Sequence, residues 1–375
     1  KCFMIPFRHY HTIIILKEYD NATLPLDTFL RNYFRSKKSI GSKDRSFITE
    51  TIYHLMRWKG LIDYFTPQPS WENRLETYLS SFSTLIKKNS IPSYVKASFP
   101  KKYFDHIVKN YGIKKALQIC SVLNQKAPVT IRANTIKISA NKLFLLLSKK
   151  CELIKCKTEG AFSVKNKINF FTLDEYKKGL FEIQDEGSQM VSDLVEPSDK
   201  NLILDYCAGA GGKSLAFASK LKGTGHIFLH DIRKQALLQA KKRLKRAGIQ
   251  NAQIVYSEEL HKKNLIKKID WLVLDVPCSG SGTLRRNPDM KWKFSFDQLD
   301  QLIMEQKEIF HKAFPFCRPG KNILYATCSL FKEENEEQIA YFIEDRDDVE
   351  VVYEKTILPF EYGSDGFYIC KMRKI

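Results

Sequence analysis

Three residues in the second half of the chain have the types and surroundings that covalent chemistry needs. They are Asp275 and Cys278 in the run D-V-P-C-S-G-S-G, and Cys328 in Y-A-T-C-S. Each run closes an apolar stretch of strand length, Trp271 to Val276 and Asn322 to Thr327. In an open doubly wound sheet, ligands sit outside the carboxyl ends of the strands. If these two strands are neighbours, both thiols and the carboxylate face one crevice. A thiolate there can divide one hard step into two easier ones through a covalent intermediate. Its pKa, about 8.5 when free, falls beside positive charge or a helix N-terminus. Metal binding accounts for these cysteines poorly. The chain has nine, with no C-x-x-C pair, and Cys151 and Cys156 are too far apart for the usual zinc knuckle. No metal and no disulfide framework are expected, and most of the other thiols read as small core residues.

A third stretch leads to the same crevice: N-L-I-L-D-Y-C-A-G-A-G-G-K-S, Asn201 to Ser214. A strand that stops at glycines and turns into a helix leaves backbone N–H groups exposed at the positive end of that helix. A phosphate-cradling Walker A loop requires a glycine where Cys207 stands. A G-x-G-x-x-G fingerprint requires a third glycine, but Gly209, Gly211 and Gly212 are followed by Ser214. The pattern that fits is an S-adenosylmethionine loop of a Rossmann-like methyltransferase. Asp205 ends the strand, and the glycines let the backbone approach the methionine part. A second strand, His226 to His230, ends at Asp231, about 20 residues beyond the glycines, where an acid takes ribose hydroxyls.

Two thiols beside a methyl donor suggest which reaction is difficult enough to need them. Carbon 5 of a pyrimidine is too weak a nucleophile to take a methyl group, whereas a thiolate added at carbon 6 turns it into an enamine. Asp275 can then bond ring N3 and the amino group as charge builds there. A second group must remove the carbon 5 proton so that the first thiol can leave. Chemistry alone leaves open which cysteine attacks.

Five motifs together resemble a known family: F-E-I-Q-D-E-G-S-Q from Phe181, D-Y-C-A-G-A-G-G-K-S from Asp205, D-V-P-C-S-G-S-G from Asp275, R-R-N-P-D from Arg285 and Y-A-T-C-S from Tyr325. Their order and spacing are similar to those of the Sun (RsmB) family of RNA cytosine-C5 methyltransferases, of the bacterial 16S ribosomal RNA type. F-P-K-K-Y-F from Phe99 and P-V-T-I-R-A-N from Pro128 extend the resemblance, and the helical start resembles that family's NusB-like domain. The resemblance implies that Cys328 is the nucleophile and that Cys278 assists proton removal and product release. It implies S-adenosylmethionine contacts at Cys207, Ala208, Gly209, Ala210, Gly211, Gly212, Lys213, Asp231 and Asp275, with Glu258 as the acid after the third strand. The family's usual A-P-G-G-K-T stands here as G-A-G-G-K-S. Losing the proline at Ala210 is expected to loosen the loop and weaken its grip on the cofactor.

The elements that must hold these residues follow from periodicity. From Thr23 to Ile86 the apolar spacing is helical; near residues 128 to 171 strand-like runs and one helix alternate; beyond residue 181 strands and helices alternate regularly, which predicts a parallel sheet covered on both faces. The expected fold class is α/β: a Rossmann-like methyltransferase sheet in residues 181–375, a small α/β module in 91–180 and an all-α NusB-like domain in 1–90. At 375 residues, with Lys+Arg 61 against Asp+Glu 42 and a net charge of +19, the chain suits a polyanionic partner. RNA is the expected partner, ribosomal by the resemblance, with transfer RNA or an RNA-binding assembly role as alternatives. Arg132, Arg285 and Arg286 are the candidate RNA contacts, the last two following what reads as a flexible Ser279 to Thr283 loop. No spanning or signal segment is visible, so a cytoplasmic monomer is expected.

Overall fold

The switch from helical to alternating periodicity falls near residue 127, and the chain divides there. The structure, a computed structural model, describes residues 5–88, 90–260, 263–344 and 346–375. One unit contains residues up to 126 together with 283–294; the other contains 127–282 and 295–375.

The first unit is helical, with helices Phe7–Tyr19, Leu26–Ser36, Ser42–Phe65, Trp71–Leu85 and Lys101–Leu123 as its main members. Apolar residues three and four apart turn inward, so that Ile48, Ile52 and Leu55 meet Ile15, Leu16, Leu30, Trp71 and Leu75 in one core. The boundary expected near residue 90 is therefore misplaced: the prolines around it punctuate helices of one unit. Past them Tyr103, Phe104, Ile107 and Ile119 are buried, and Asn124 Nδ2 donates to the Ala97 carbonyl at 2.5 Å.

The segment 283–294 leaves the other unit and threads through this helical one. Arg57 donates to the Arg285 carbonyl at 3.0 Å, and Trp292 Nε1 donates to the Met56 carbonyl at 2.7 Å. Lys291, 1% exposed, donates to the Arg57 carbonyl at 2.8 Å and to Asn124 Oδ1 at 2.7 Å. Burial pushes its pKa well below the usual lysine range. Arg285 is 3% exposed. It is thus an internal residue of the helical unit, not the open phosphate contact expected of it, whereas Arg286 beside it is half-buried.

The second unit opens with a small antiparallel sheet of β1 (Val129–Ala133), β2 (Leu153–Lys155), β3 (Ala161–Val164) and β4 (Phe181–Ile183), in the order β2-β3-β1-β4. The expected strand from Phe162 to Phe171 stops at Val164, and further on Asn169 accepts from the Phe171 N–H and starts a tight 3₁₀ turn. Arg132 lies on β1, between β3 and β4, with Glu182 as its cross-strand neighbour. It is 9% exposed, donates to Gln184 Oε1 at 2.8 Å, and burial lowers its pKa to about 10. An inner strand turns this side chain into the protein, so the expected RNA contact at Arg132 is also corrected.

The larger sheet comprises β5 (Leu202–Asp205), β6 (His226–Leu229), β7 (Ala252–Ile254), β8 (Ile269–Asp275), β9 (Cys317–Thr327), β10 (Val349–Ile357) and β11 (Phe367–Lys374). Its order is β10-β11-β9-β8-β5-β6-β7, parallel from β9 to β7, with β11 antiparallel to β9. Alternate residues feed two cores, one on each face. Ile203, Ile227, Trp271, Val273 and Leu324 lie in one, and Leu204, Leu272, Leu274, Ile323 and Tyr325 in the other. This is the Rossmann-like α/β architecture expected. Among the described residues no helix is long and apolar enough to cross a membrane.

Candidate active site

Four parallel strands end at one edge of this sheet. Asp205 pairs in register with Leu229 of β6 and Val273 of β8, and Asp275 pairs with Ala326 of β9. The ladder ends there, with His230 N–H donating to the Asp205 carbonyl at 2.9 Å and Val276 N–H to the Ala326 carbonyl at 3.1 Å. The loops that follow leave the sheet together, and their side chains meet.

Cys278 Sγ and Cys328 Sγ stand 3.2 Å apart as free thiols. That is within hydrogen-bond reach for sulfur and beyond the roughly 2.05 Å of a disulfide. The hydrogen bond to Cys328 and burial raise the Cys278 pKa well above the usual thiol value. The loop after Cys278 is less mobile than its glycines suggest. Gly282 N–H donates to the Cys328 carbonyl at 2.9 Å, and a Cβ added at Gly282 would sit 2.3 Å from the Gly366 carbonyl oxygen. Gly282 is there to let backbones pack closely, so the expectation of a flexible loop is replaced by a buried turn, Ser281–Thr283.

Lys213, in the first turn of the helix Gly212–Phe217, donates from Nζ to Asp275 Oδ2 at 2.5 Å. Burial works against its charge, but Asp275 and then Cys328 outweigh it and raise its pKa. A cation expected from the sequence to serve the cofactor thus also lies within electrostatic reach of a thiol.

The glycine loop is held from below. Gly209 and Gly211 take φ of +52° and +74°, and a Cβ at Gly211 would lie 3.2 Å from Ala240 Cβ and 3.3 Å from Leu229 Cδ2. Ser214 Oγ donates to Asp205 Oδ2 at 2.6 Å. Asp205 is 1% exposed, and burial lifts its pKa to about 7, with the nearby Asp275 and Asp231 carboxylates adding to the effect. Asp205 Oδ1 is buried with no hydrogen-bond partner among the described residues. Ala210, where the proline is missing, is held differently: Arg243 of the helix Lys234–Ala247 donates to its carbonyl and is itself anchored on the buried Glu182. Neither partner is visible as a loop-holding residue from the motif itself.

Asp231 accepts from the Gly209 N–H at 2.8 Å and from Arg233 through its backbone N–H, Nε and Nη2 at 2.8 to 2.9 Å. Burial opposes its ionisation, yet these bonds hold its pKa below the usual carboxylate value. Ile232, 74% exposed, lies beside it as an apolar surface. Cys207 is different in kind, since burial and the surrounding carboxylates push its pKa far up and leave it an inert thiol. Glu258 lies past β7 in the short helix Ser257–Leu260, largely exposed, with Lys234 Nζ at 3.3 Å. Two positive-φ glycines, a buried carboxylate oxygen without a partner, an ionised acid at the next strand end and an apolar patch beside it suit a group that combines an amino acid with a nucleoside. Among the described residues no cluster of His, Cys, Asp and Glu could hold a metal ion.

The sequence model of the family 16S rRNA methyltransferase RsmB/F matches residues 192–373. The ribosomal RNA small subunit methyltransferase B of Proteus mirabilis (strain HI4320) is 32% identical over 259 residues, covering 67% of this chain and 60% of that protein. A crystal structure of PH0851 superposes with a TM-score of 0.82 at 21% identity, over 100% of both chains. A methyltransferase homolog protein from Pyrococcus horikoshii gives a TM-score of 0.67 at 24% identity, covering 76% of this chain and 98% of that one. Both structural likenesses speak to the fold.

Proposed function

We propose that this protein, whose residues 192–373 match the sequence model of the family 16S rRNA methyltransferase RsmB/F, methylates carbon 5 of a cytosine in small-subunit ribosomal RNA. Catalysis would run through a covalent adduct on Cys328. The observation that carries the reading is the 3.2 Å separation of Cys278 and Cys328 beside the Lys213–Asp275 pair. The glycine loop from Cys207 to Lys213 and the Asp231 carboxylate would hold S-adenosylmethionine, which would supply an electrophilic methyl group.

The protein's own steps follow from charge and distance. Cys328 Sγ adds as the thiolate to carbon 6 of the cytosine, and the electron pair moves toward N3, where Lys213 meets the developing negative charge while Asp275 accepts from the ring's amino group. Carbon 5, now an enamine carbon, takes the methyl group. Cys278 then removes the carbon 5 proton, the carbon 5–carbon 6 double bond re-forms, and Cys328 leaves as thiolate. The order of roles has a physical basis. The hydrogen bond to Cys328, together with burial, keeps Cys278 protonated. Once Cys328 is bonded to carbon, that contribution is gone, the Cys278 pKa falls, and Cys278 can lose its own proton to solvent and become the thiolate that takes the carbon 5 proton.

A cytosine must leave its stack to expose carbon 6, at a cost of about a few kcal/mol unless it already lies in a loop. Looped or single-stranded RNA is therefore the favoured substrate. Of the arginines named from the sequence, Arg286 alone remains a proposed RNA contact. The helical unit, by its resemblance to NusB, is proposed to bind RNA. Transfer of labelled methyl from S-adenosylmethionine to small-subunit RNA, with bisulfite sequencing of the product, tests the proposal. Incorporation at one bisulfite-resistant cytosine is expected, and tight RNA binding without transfer would contradict it.

A further inference from the structure

Glu334 lies in the 3₁₀ turn Lys332–Glu334 after Cys328 and is fully buried, 0% exposed. Its Oε1 accepts from the Ser279 N–H at 2.7 Å and from Gln306 Nε2 at 3.1 Å. Its Oε2 accepts from Ser279 Oγ at 2.6 Å and from Ser329 Oγ. Ser279 directly follows Cys278, and Ser329 directly follows Cys328. One carboxylate therefore holds the residues next to both thiols.

The surroundings make this a rigid arrangement. Gln306 Nε2 also donates to the Pro277 carbonyl at 2.9 Å, and its Oε1 accepts from Gln338 Nε2 at 2.9 Å. Ser281 Oγ accepts from the Leu330 N–H at 2.7 Å, tying the two loops together a second time. Asn335 accepts from Thr327 Oγ1 at 2.6 Å and donates to the Ser329 carbonyl at 3.1 Å. Gln338 Oε1 is buried without a partner among the described residues, but the paired members of this buried network couple strongly and favour one geometry. A reacting group must be held to within about 0.5 Å by such supporting contacts to work.

We propose that Glu334 is a positioning residue that sets the separation of the two thiols by holding Ser279 and Ser329 on one carboxylate. This rests on the reading that Cys278 and Cys328 act together on one base. Glu334 is fully buried and its bonds run to protein groups. It acts through the two serines, and its negative charge also adds to the causes that keep Cys278 protonated.

The test uses the full-length protein and a thiol-specific diazene oxidant, which takes two electrons and two protons from a thiol pair and is itself reduced to the hydrazine. Cys278–Cys328 disulfide formation, followed by peptide mass mapping, then serves as a ruler of thiol separation that needs no RNA and no methyl donor. The wild type is expected to cross-link readily. Glu334→Asp, whose shorter side chain cannot span both serines, and Glu334→Ala, which removes the carboxylate, are expected to cross-link about tenfold more slowly or worse. In Glu334→Gln the pH profile of Cys278 alkylation should also shift to lower pH, because a negative charge beside the thiol has been removed. If either variant fails to fold, Ser279→Ala and Ser329→Ala, which each remove one hydroxyl, replace them with the same expected slowing. Wild-type cross-linking rates and an unshifted profile in the folded variants would overturn the proposal. Slower cross-linking in a protein that never methylates RNA would uphold it while overturning the proposed activity.

Discussion

Arg243 Nη1 donates to the Ala210 carbonyl at 3.0 Å, while its Nε and Nη2 donate to Glu182 at 3.2 and 3.0 Å. Glu182 is 3% exposed and also receives Arg246 at 2.6 and 2.7 Å. A planar guanidinium pinned on a buried carboxylate thus holds the glycine loop at the position where a proline would have stiffened it. The looser loop expected from Ala210 is met by a contact from the neighbouring helix.

That contact has a measurable weight. A hydrogen bond from a charged donor contributes about 1.5–3 kcal/mol, so Arg243→Met is expected to weaken S-adenosylmethionine binding by about tenfold or more, with a smaller effect on the rate at saturation. Arg243→Lys should not restore it, since a single ammonium cannot reach the loop and Glu182 with one fork. Isothermal titration with the methyl donor reads the effect. Unchanged affinity in a folded Arg243→Met protein would contradict this role.

The Lys213–Asp275 pair makes a different prediction. In the proposed mechanism both groups meet the pyrimidine as charge develops on it, and removing one such preorganised group costs about 10²–10³ in rate. Lys213→Met and Asp275→Asn are expected to lower methyl transfer by that order in single-turnover assays. A loss below about threefold in either would contradict the placing of developing charge there.

Asp205 supplies a pH signature of the fold. Its pKa is raised from 3.8 to about 7, chiefly by burial. The folded state therefore binds this proton more tightly than the unfolded state. The contribution to stability is fully present below the unfolded value and is lost as pH rises toward 7. Asp205→Asn keeps an acceptor for Ser214 and removes the titration. The melting temperature of Asp205→Asn relative to wild type is expected to rise between about pH 4 and about pH 7 and to level off above that. Parallel curves over that range would contradict the burial account.

What could be read from the sequence had local causes. Asp205, Asp231, Asp275 and Cys328 each end an apolar run, and strand ends of a parallel sheet share one edge, so their convergence follows from the alternation of strands and helices. The glycines of the cofactor loop were legible for the same reason: their constraint lies within a few residues. The fates of Arg132 and Arg285 were not legible, because each is decided by partners far away in sequence. Arg132 faces Glu182 and Gln184 across a strand pair, and the Arg285 backbone is held by Arg57, 228 residues away. Glu334 escaped notice likewise. In the run K-E-E-N it looks like any surface acid, and only the approach of Ser279 from 55 residues away buries it. The division at residue 127 was missed because prolines mark helix ends as readily as domain edges.

The claim on which the account turns is that two thiols divide one reaction, and covalent trapping tests it most directly. RNA carrying 5-azacytidine at the target position is incubated with S-adenosylmethionine and each variant, and the protein–RNA adduct is resolved on a denaturing gel. Cys328→Ala is expected to form no adduct, because the nucleophile is gone. With unmodified RNA, Cys278→Ala is expected to accumulate a stable adduct, because release has lost its base. An adduct that forms without Cys328 and disappears without Cys278 would contradict the assignment.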